Sequence, residues 1–561
     1  MLLDRGVQVD RIVKVNYQDS IKEYKAGTTL LEISNDFKEN HKYPILIAKV
    51  DNQITPLSEV INKKVNLEFF DRSSQLGTTI YANSLRFILV AAVKRLFGHD
   101  AEVVIEHSID KGFYCELLNN DLNKELTVEL ENEMAKIVSE DLVFKKVSVL
   151  RLDAIRYFKN KKQMDKVKLL KYVSNSHINL QVIDNVYDYF FGELAYSTKD
   201  IDNFKLTYIK DRGFVVSFPD IYNPEKTMDY VHHEKLFDKF YEFTEWGRNI
   251  DVANAADLNE YVSTGKYEEL IMLAEAHYDN QLSRVADQIY EKRHDVKFVL
   301  IAGPSSSGKT TTAKKLEIYL GSKGLKTHQI SLDDYFLNRE DTPKDENGEY
   351  DFECLEALDV KLFNTHLTKL LEGEKILIPT FNFVTGKREY KDKHLQMGER
   401  DIVIIEGLHG LNEKLTSSID HKNKFKIYVS PLTQLNIDNH NRIHTSDTRR
   451  LRRIVRDNKY RGYSAAQTLK MWKKIRAGEE KYIFPFQDDA DYIINSALVY
   501  ELGVLKIYAE PLLYSVAEDD EVYPEAIRLI NNLKNVLPIP SDGIPNNSMF
   551  REFIGGSSFK N

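Results

Sequence analysis

The apolar run Phe298-Val299-Leu300-Ile301-Ala302 passes without a break into Gly303-Pro304-Ser305-Ser306-Ser307-Gly308-Lys309-Thr310-Thr311, and the stretch to Tyr319 that follows contains no helix breaker. A buried strand, a Gly-x-x-x-x-Gly-Lys-Thr turn and a helix in that order form the full context of a phosphate-binding loop. The glycines let backbone N–H groups turn inward as an anion nest, and the helix start adds its positive end. Lys309 then meets the terminal phosphates, and the Thr310 hydroxyl suits Mg²⁺. Further apolar runs at 327–332, 402–406 and 425–429 alternate with helical stretches. Strands apolar on both faces require cover on both faces, so this part of the chain is expected to be a parallel sheet flanked by helices.

A chain of 561 residues exceeds what one core normally holds. Residues 1–72 mix strand-like runs (Val7 to Val15, Ile45 to Val50, Val65 to Phe70) with one helix starting near Thr28-Thr29, which reads as a small α+β unit. Residues 73–225 continue as α+β, with an amphipathic helix expected over Leu85–Phe97 and a strand through Val103–Ile105. Leu282, Val285, Ala286 and Ile289 share one helical face, so 226–292 reads as a helical connector. The phosphate-loop domain spans 293–515. A tail, 516–561, turns rich in Pro, Ser, Asn and Gly, with Phe550, Phe553 and Ile554 expected to dock. The fold class is therefore multidomain, α+β followed by α/β.

Other residues bear on what the loop serves. The strand before Asp333 ends in Ser331-Leu332-Asp333-Asp334-Tyr335-Phe336, and a carboxylate at the carboxyl end of a parallel strand faces the ligand crevice. Asp333 is placed to orient or deprotonate an acceptor hydroxyl, with Asp334 competing for the role. A second strand ends in Glu406-Gly407, where the carboxylate suits the hydration shell of Mg²⁺. Arg449, Arg450, Arg452, Arg453, Arg456 and Arg461 crowd one predicted helix, a density that suits a phosphate-clamping lid.

These motifs, with Tyr350-Asp351-Phe352-Glu353, Pro379-Thr380-Phe381-Asn382-Phe383, Arg461-Gly462 and Ala490-Asp491-Tyr492-Ile493-Ile494, resemble the uridine kinase and phosphoribulokinase family over about 297 to 512. The resemblance implies ATP and Mg²⁺ as cofactors and phosphorylation of a nucleoside 5′-hydroxyl. It implies Asp333, Lys309, Arg453 and Arg456 as catalytic residues and Thr310 and Glu406 at the metal. Asp333, Tyr335, Phe336, Glu353, Phe381 and Arg453 would face the acceptor. Glu353 stands where those kinases usually carry Asp, and Gly386 where a base-reading His is expected.

The first seventy residues resemble a TGS domain, the β-grasp module of threonyl-tRNA synthetases, through Tyr24-Lys25-Ala26-Gly27-Thr28-Thr29-Leu30 and Ile47-Ala48-Lys49-Val50. Residues 73 to 225 resemble the editing-type domain of the same enzymes, as in Ile109-Asp110-Lys111-Gly112-Phe113-Tyr114. The metal ligands of that domain fall on Asn83, Phe87, Phe190 and Leu194 here, and an apolar side chain offers zinc no electron pair. Loss of editing chemistry is the expectation.

Composition narrows the remaining readings. A net charge of −9 disfavours binding to nucleic acid by bulk electrostatics, leaving RNA as a partner behind a small-molecule acceptor. Two cysteines, Cys115 and Cys354, provide no disulfide framework, and the start of the chain lacks the apolar run of a signal peptide. The expectation is a cytoplasmic protein without a membrane segment, its oligomeric state open. Three readings stand: a nucleoside kinase, a kinase of a sugar, polyol or pantothenate-like alcohol, and a translation-linked nucleotide switch.

Overall fold

The computed structural model describes every residue except 1–10, 19, 111, 119, 211, 346, 347, 434, 560 and 561. The expected strand from Val7 is seen as Ile12–Tyr17, its first residues lying outside the described ones. It joins a mixed five-stranded sheet in the order Ser20–Lys25, Ile12–Tyr17, Val65–Asp71, Ile45–Val50, Gln53–Thr55. Among the described residues of this sheet the parallel pair is Ile12–Tyr17 with Val65–Asp71, the β-grasp arrangement. Thr29 caps the short helix Leu30–Ser34: its hydroxyl accepts from Glu32 N while Glu32 returns to the Thr29 amide, which satisfies two orphan donors reciprocally.

Helix α1, Gln75–Phe97, is longer than the expected Leu85–Phe97 and is not amphipathic, since every residue from Asn83 to Lys94 is buried. It runs between the β-grasp sheet and a four-stranded antiparallel sheet (205–209, 213–217, 112–118, 102–109), so no face is left for water. By length and composition α1 is apolar enough to cross a membrane, yet 83% of its most apolar window is buried inside this fold. The positions expected to match synthetase metal ligands lie close together. Phe87 of α1 stacks on Phe190 with ring centroids 5.6 Å apart, Leu194 is buried in the same core, and Asn83 Nδ2 donates to Glu193 O at 3.3 Å. Packed apolar carbon fills the place where ligands would meet.

The connector contributes α2, Tyr267–Glu291, whose Leu282, Val285, Ala286 and Ile289 all lie in the core of the last region. That region is built on β1 (Phe298–Ala302), β2 (Lys326–Ser331), β3 (Asp401–Glu406), β4 (Lys424–Ser430) and β5 (Tyr492–Asn495), all parallel, in the order β2-β3-β1-β4-β5. Helices α3 (Lys309–Ser322), α4 (Thr445–Arg461) and α5 (Ala465–Tyr482) accompany it. Since β1 neighbours both β3 and β4, chain connections leave it in opposite directions, and the crevice opens at its carboxyl end.

The two halves meet across a polar seam. Asn436 Nδ2, in the loop after β4, donates to Ile105 O and Glu106 O at 3.0 Å each, and Ile105 N donates to Asn439 O at 2.8 Å. Below it, the fully buried Lys166 Nζ lies 2.7 Å from Asp188 Oδ1 and 3.1 Å from Asp438 Oδ1, with His440 on the other oxygen of Asp188. The fields of these carboxylates outweigh burial and hold the Lys166 ammonium charged.

Candidate active site

At the end of β1 the chain must turn within van der Waals distance of β4. A Cβ on Gly303 would overlap Val429 O, so only glycine fits. Gly308 has φ +88°, the left-handed region that glycine enters at no steric cost, and it caps α3. Between them Ser306 and Ser307 are buried and Ser305 half-buried, and Lys309 Nζ folds back to donate to Pro304 O at 3.1 Å. Burial lowers the Lys309 pKa, while Glu406, Glu552 and Asp333 act to keep it charged.

The ends of β2 and β3 bring acids to this loop, because Ser331 and Glu406 are register partners. Thr310 Oγ1 donates to Glu406 Oε2 at 3.4 Å, and Ser331 Oγ to Glu406 Oε1 at 3.5 Å. Burial, reinforced by the charge of Asp333 and opposed by Lys309, pushes the Glu406 carboxyl up to about 7. Among the described residues no three His, Cys, Asp or Glu side chains form a metal cluster by themselves. Mg²⁺ commonly takes one or two protein ligands and completes its shell with water and substrate phosphates, and Thr310 with Glu406 fits that pattern.

Asp333 and Asp334 separate clearly. Asp334 is engaged: its Oδ1 accepts from Phe381 N at 3.4 Å and its Oδ2 lies 3.8 Å from Lys393 Nζ. Asp333 is exposed at the crevice mouth yet crowded by its walls, which raises its pKa; Lys309 opposes that rise and Asp334 adds to it. Tyr335 departs from expectation. The chain leaves β2 through the 3₁₀ turn Leu332–Tyr335, which carries Tyr335 into the core, 0% exposed, with its hydroxyl 3.0 Å from His366 Nδ1. It does not line the crevice. Phe336 does remain half-buried, within 5.5 Å of Phe381 and 6.0 Å of Phe352 by ring centroids.

Glu353 sits against α5, where a Cβ on Gly478 would come within 3.1 Å of the Glu353 side chain. Burial raises its pKa, Glu479 adds to the rise, and Arg453 opposes it. On α4, Arg453 Nη1 donates to Ser305 Oγ, and its Nε lies 3.0 Å from Asp457 Oδ2. Asp457 also meets Arg456 at 3.4 Å and Arg461 at 3.2 Å. Arg452 plays a different part: fully buried, it binds Glu501 at 2.6 Å and Ser496 O at 2.7 Å and so braces the loop from behind. Gly386 lies in a turn at φ +68°, where a Cβ would meet the Arg339 side chain at 2.8 to 3.0 Å.

Asp457 ends the motif segment Arg452-Arg453-Ile454-Val455-Arg456-Asp457 without a role read for it, and three further residues of this neighbourhood lie outside any motif. Asp457 gathers three arginines, a role its i+4 spacing from Arg453 could have signalled. Glu479 accepts from Ser305 N at 3.0 Å and pairs with Arg449. His409 is buried beside Tyr482, and burial pushes its pKa down to about 4. Glu552 reaches the loop from the far end of the chain.

Comparison with known proteins matches this geometry to a family. The Phosphoribulokinase / Uridine kinase family matches residues 298–501. A uridine kinase of Borrelia turicatae is 32% identical over 208 residues, which cover 36% of this chain and 86% of that protein. The chain belongs to the phosphoribulokinase / uridine kinase family. Its last region carries the phosphate loop of that family, whose members typically use ATP with Mg²⁺. The N-terminal region is similar to a threonine–tRNA ligase of Desulforamulus reducens, 32% identical over 164 residues. That match covers 28% of this chain and 25% of the ligase, so the chain spans about a quarter of the length of that relative. Among solved structures, "Structure of a Possible Uridine Kinase from Bacillus stearothermophilus" aligns over 38% of this chain and 98% of that one, at 17% identity and a TM-score of 0.27.

Proposed function

We propose that this chain transfers the γ-phosphate of ATP to a hydroxyl of a small molecule, with the 5′-hydroxyl of a nucleoside as the favoured acceptor. The observation that carries the reading is Asp333, a carboxylate with a raised pKa in the same crevice as Lys309 and on the open side of the phosphate loop. A nucleotide switch has no use for such a group, whereas an acceptor hydroxyl needs a base to orient it and take its proton. Lys309 and the loop amides hold the phosphates. Arg453 and Arg456, fixed by Asp457, meet charge on the transferring group. Phe336 and Phe381 form an aromatic wall for the acceptor, with Glu353 as its polar contact. Mg²⁺, held by Thr310 and Glu406, would neutralise phosphate charge.

One observation favours an acceptor other than a pyrimidine nucleoside. Gly386 offers no side chain, and Arg339 occupies the space a side chain there would enter. A sugar, polyol or pantothenate-like alcohol is the second reading. The buried free cysteines Cys115 and Cys354 suit a reducing compartment, and we place the protein in the cytoplasm. The synthetase-like half is assigned no editing chemistry, on the strength of the Phe87–Phe190 stack, and RNA ranks behind a small molecule as a partner.

The test is acceptor-dependent ADP formation over uridine, cytidine, adenosine, guanosine and a panel of non-nucleoside alcohols. Turnover with a nucleoside supports the first reading, and turnover with alcohols alone supports the second. ATP hydrolysis that no acceptor accelerates would overturn both.

A further inference from the structure

The first turn of α3 leaves its backbone amides without intrahelical partners, and in a phosphate loop these are the donors that receive anions. One of them is already taken. Thr311 N donates to Glu552 Oε2 at 3.3 Å, and Thr311 Oγ1 donates to the same oxygen at 2.7 Å. The next amide, Thr312 N, is the first to find an intrahelical carbonyl, Gly308 O, at 2.9 Å. Glu552 thus occupies the innermost free donor of the helix start, in competition with anything that arrives carrying phosphate.

The segment that delivers this carboxylate is firmly seated. Met549, Phe550 and Phe553 are 0% exposed, and Ser548 Oγ donates to the buried Glu275 Oε1 at 2.6 Å. Met549 packs so closely on Gly308 that a Cβ there would lie 2.9 Å from its Cγ. The other side of the segment is held by α4: the Arg452 guanidinium lies 4.9 Å from the Phe553 ring centre, and Lys459 Nζ donates to Ile554 O at 2.7 Å. The helix that carries Arg453 and Arg456 therefore also carries anchors of the segment that places Glu552 at the loop. The charge of Glu552 is felt at the site too, since it favours the charged form of Lys309 and disfavours that of Glu406.

We propose that Glu552 is an internal competitor of the nucleotide: its carboxylate holds the anion position at Thr311, and a nucleotide phosphate takes that position only when Glu552 turns away. The proposal rests on the reading of the phosphate loop as the ATP site. Two anions repel when they converge on one amide and one hydroxyl, and each binds in full only without the other. Apparent affinity for ATP is then the intrinsic affinity reduced by the fraction of molecules in which Glu552 has left.

The experiment is calorimetric titration of the full chain with Mg·ATP and, separately, with inorganic tripolyphosphate, for the unaltered protein, Glu552→Gln and Lys309→Ala. The glutamine keeps the shape of the side chain and leaves the apolar anchors Met549, Phe550 and Phe553 in place. Glu552→Gln is expected to bind both ligands about tenfold more tightly, the scale of one charge-assisted hydrogen bond removed from the competing state. Unchanged or weaker ATP binding in Glu552→Gln, while Lys309→Ala still abolishes it, would overturn the competitor. A gain for ATP without one for tripolyphosphate would also overturn it, since the contest would not be for phosphate. If Lys309→Ala leaves ATP binding intact, the reading of the loop itself falls.

Discussion

The crevice at the ends of β1, β2 and β3 and the packed cluster between α1 and Phe190 are made of opposite materials. The crevice concentrates Lys309, Asp333, Glu353 and Glu406, whose pKa values are displaced by the walls around them and by one another's charge. Such an arrangement costs stability and is retained where a ligand supplies the missing charge. In the cluster, Phe87 stacks on Phe190 and Leu194 closes the gap, with Arg86 lying 5.6 Å from the Phe190 ring centre. Nothing there asks for a ligand. The two regions differ in whether polar groups are left open or packed carbon takes their place.

The comparison breaks most readily at Asp333. Asp333→Asn keeps the shape but takes no proton, so acceptor-dependent turnover should fall about 10²- to 10⁴-fold while ATP binding persists. Asp334→Asn, whose parent is tied to Phe381 N and Lys393, should stay near the native rate. The reverse ranking in a coupled ADP assay would move the base by one residue.

Lys309→Ala should lower turnover at least ~10²-fold through lost stabilisation of phosphate charge, with an unchanged circular dichroism spectrum. The mirror experiment on the other side is Phe87→Ala. It should cost about 3–5 kcal/mol of stability by opening a cavity, with turnover per folded molecule preserved. Metal analysis of either protein should find less than one zinc per chain, and tightly bound zinc would move the cluster to the class of open sites.

The smallest effect concerns pH. His409 is neutral in the folded state, its pKa pushed down to about 4, whereas the unfolded chain titrates near the ordinary histidine value. Its stabilising contribution is complete above that ordinary value and is lost as pH falls toward 4, which amounts to about 2 kcal/mol by pH 5. Thermal melts at pH 7 and pH 5 should therefore converge for His409→Asn relative to the parent. Equal pH sensitivity in both proteins would show that His409 is not the group responsible.

Much of the crevice was legible because its parts are local. A strand, a turn with fixed glycines and a helix start leave a spacing in the chain, and the acids at Asp333 and Glu406 follow from strand ends. Tyr335 misled because a 3₁₀ turn breaks the alternation of the strand before it, so neighbouring residues part company between crevice and core. Helix α1 misled for another reason: a helix packed on all sides shows no polar stripe, and its period says little about what covers it. Gly386, which stands where a base-reading histidine is expected, sits at positive φ against the Arg339 side chain, a turn that tolerates little else. Glu479 and Glu552 had no signal, since one carboxylate among many becomes special only through a partner hundreds of residues away.

The seam at Lys166 has a bearing on how the two halves can be exchanged. An ammonium enclosed by Asp188 from one half and Asp438 from the other has exchanged water for protein on both sides, so the charge balance of each half depends on the other. Truncating one partner within the intact chain, as in Asp438→Ala, would leave a buried charge uncompensated, at a cost of about 3–5 kcal/mol. The two halves are in this way coupled through buried charge. Each is part of the other's solvent, and recombination that swaps one module for a homologue must bring its counter-ions with it.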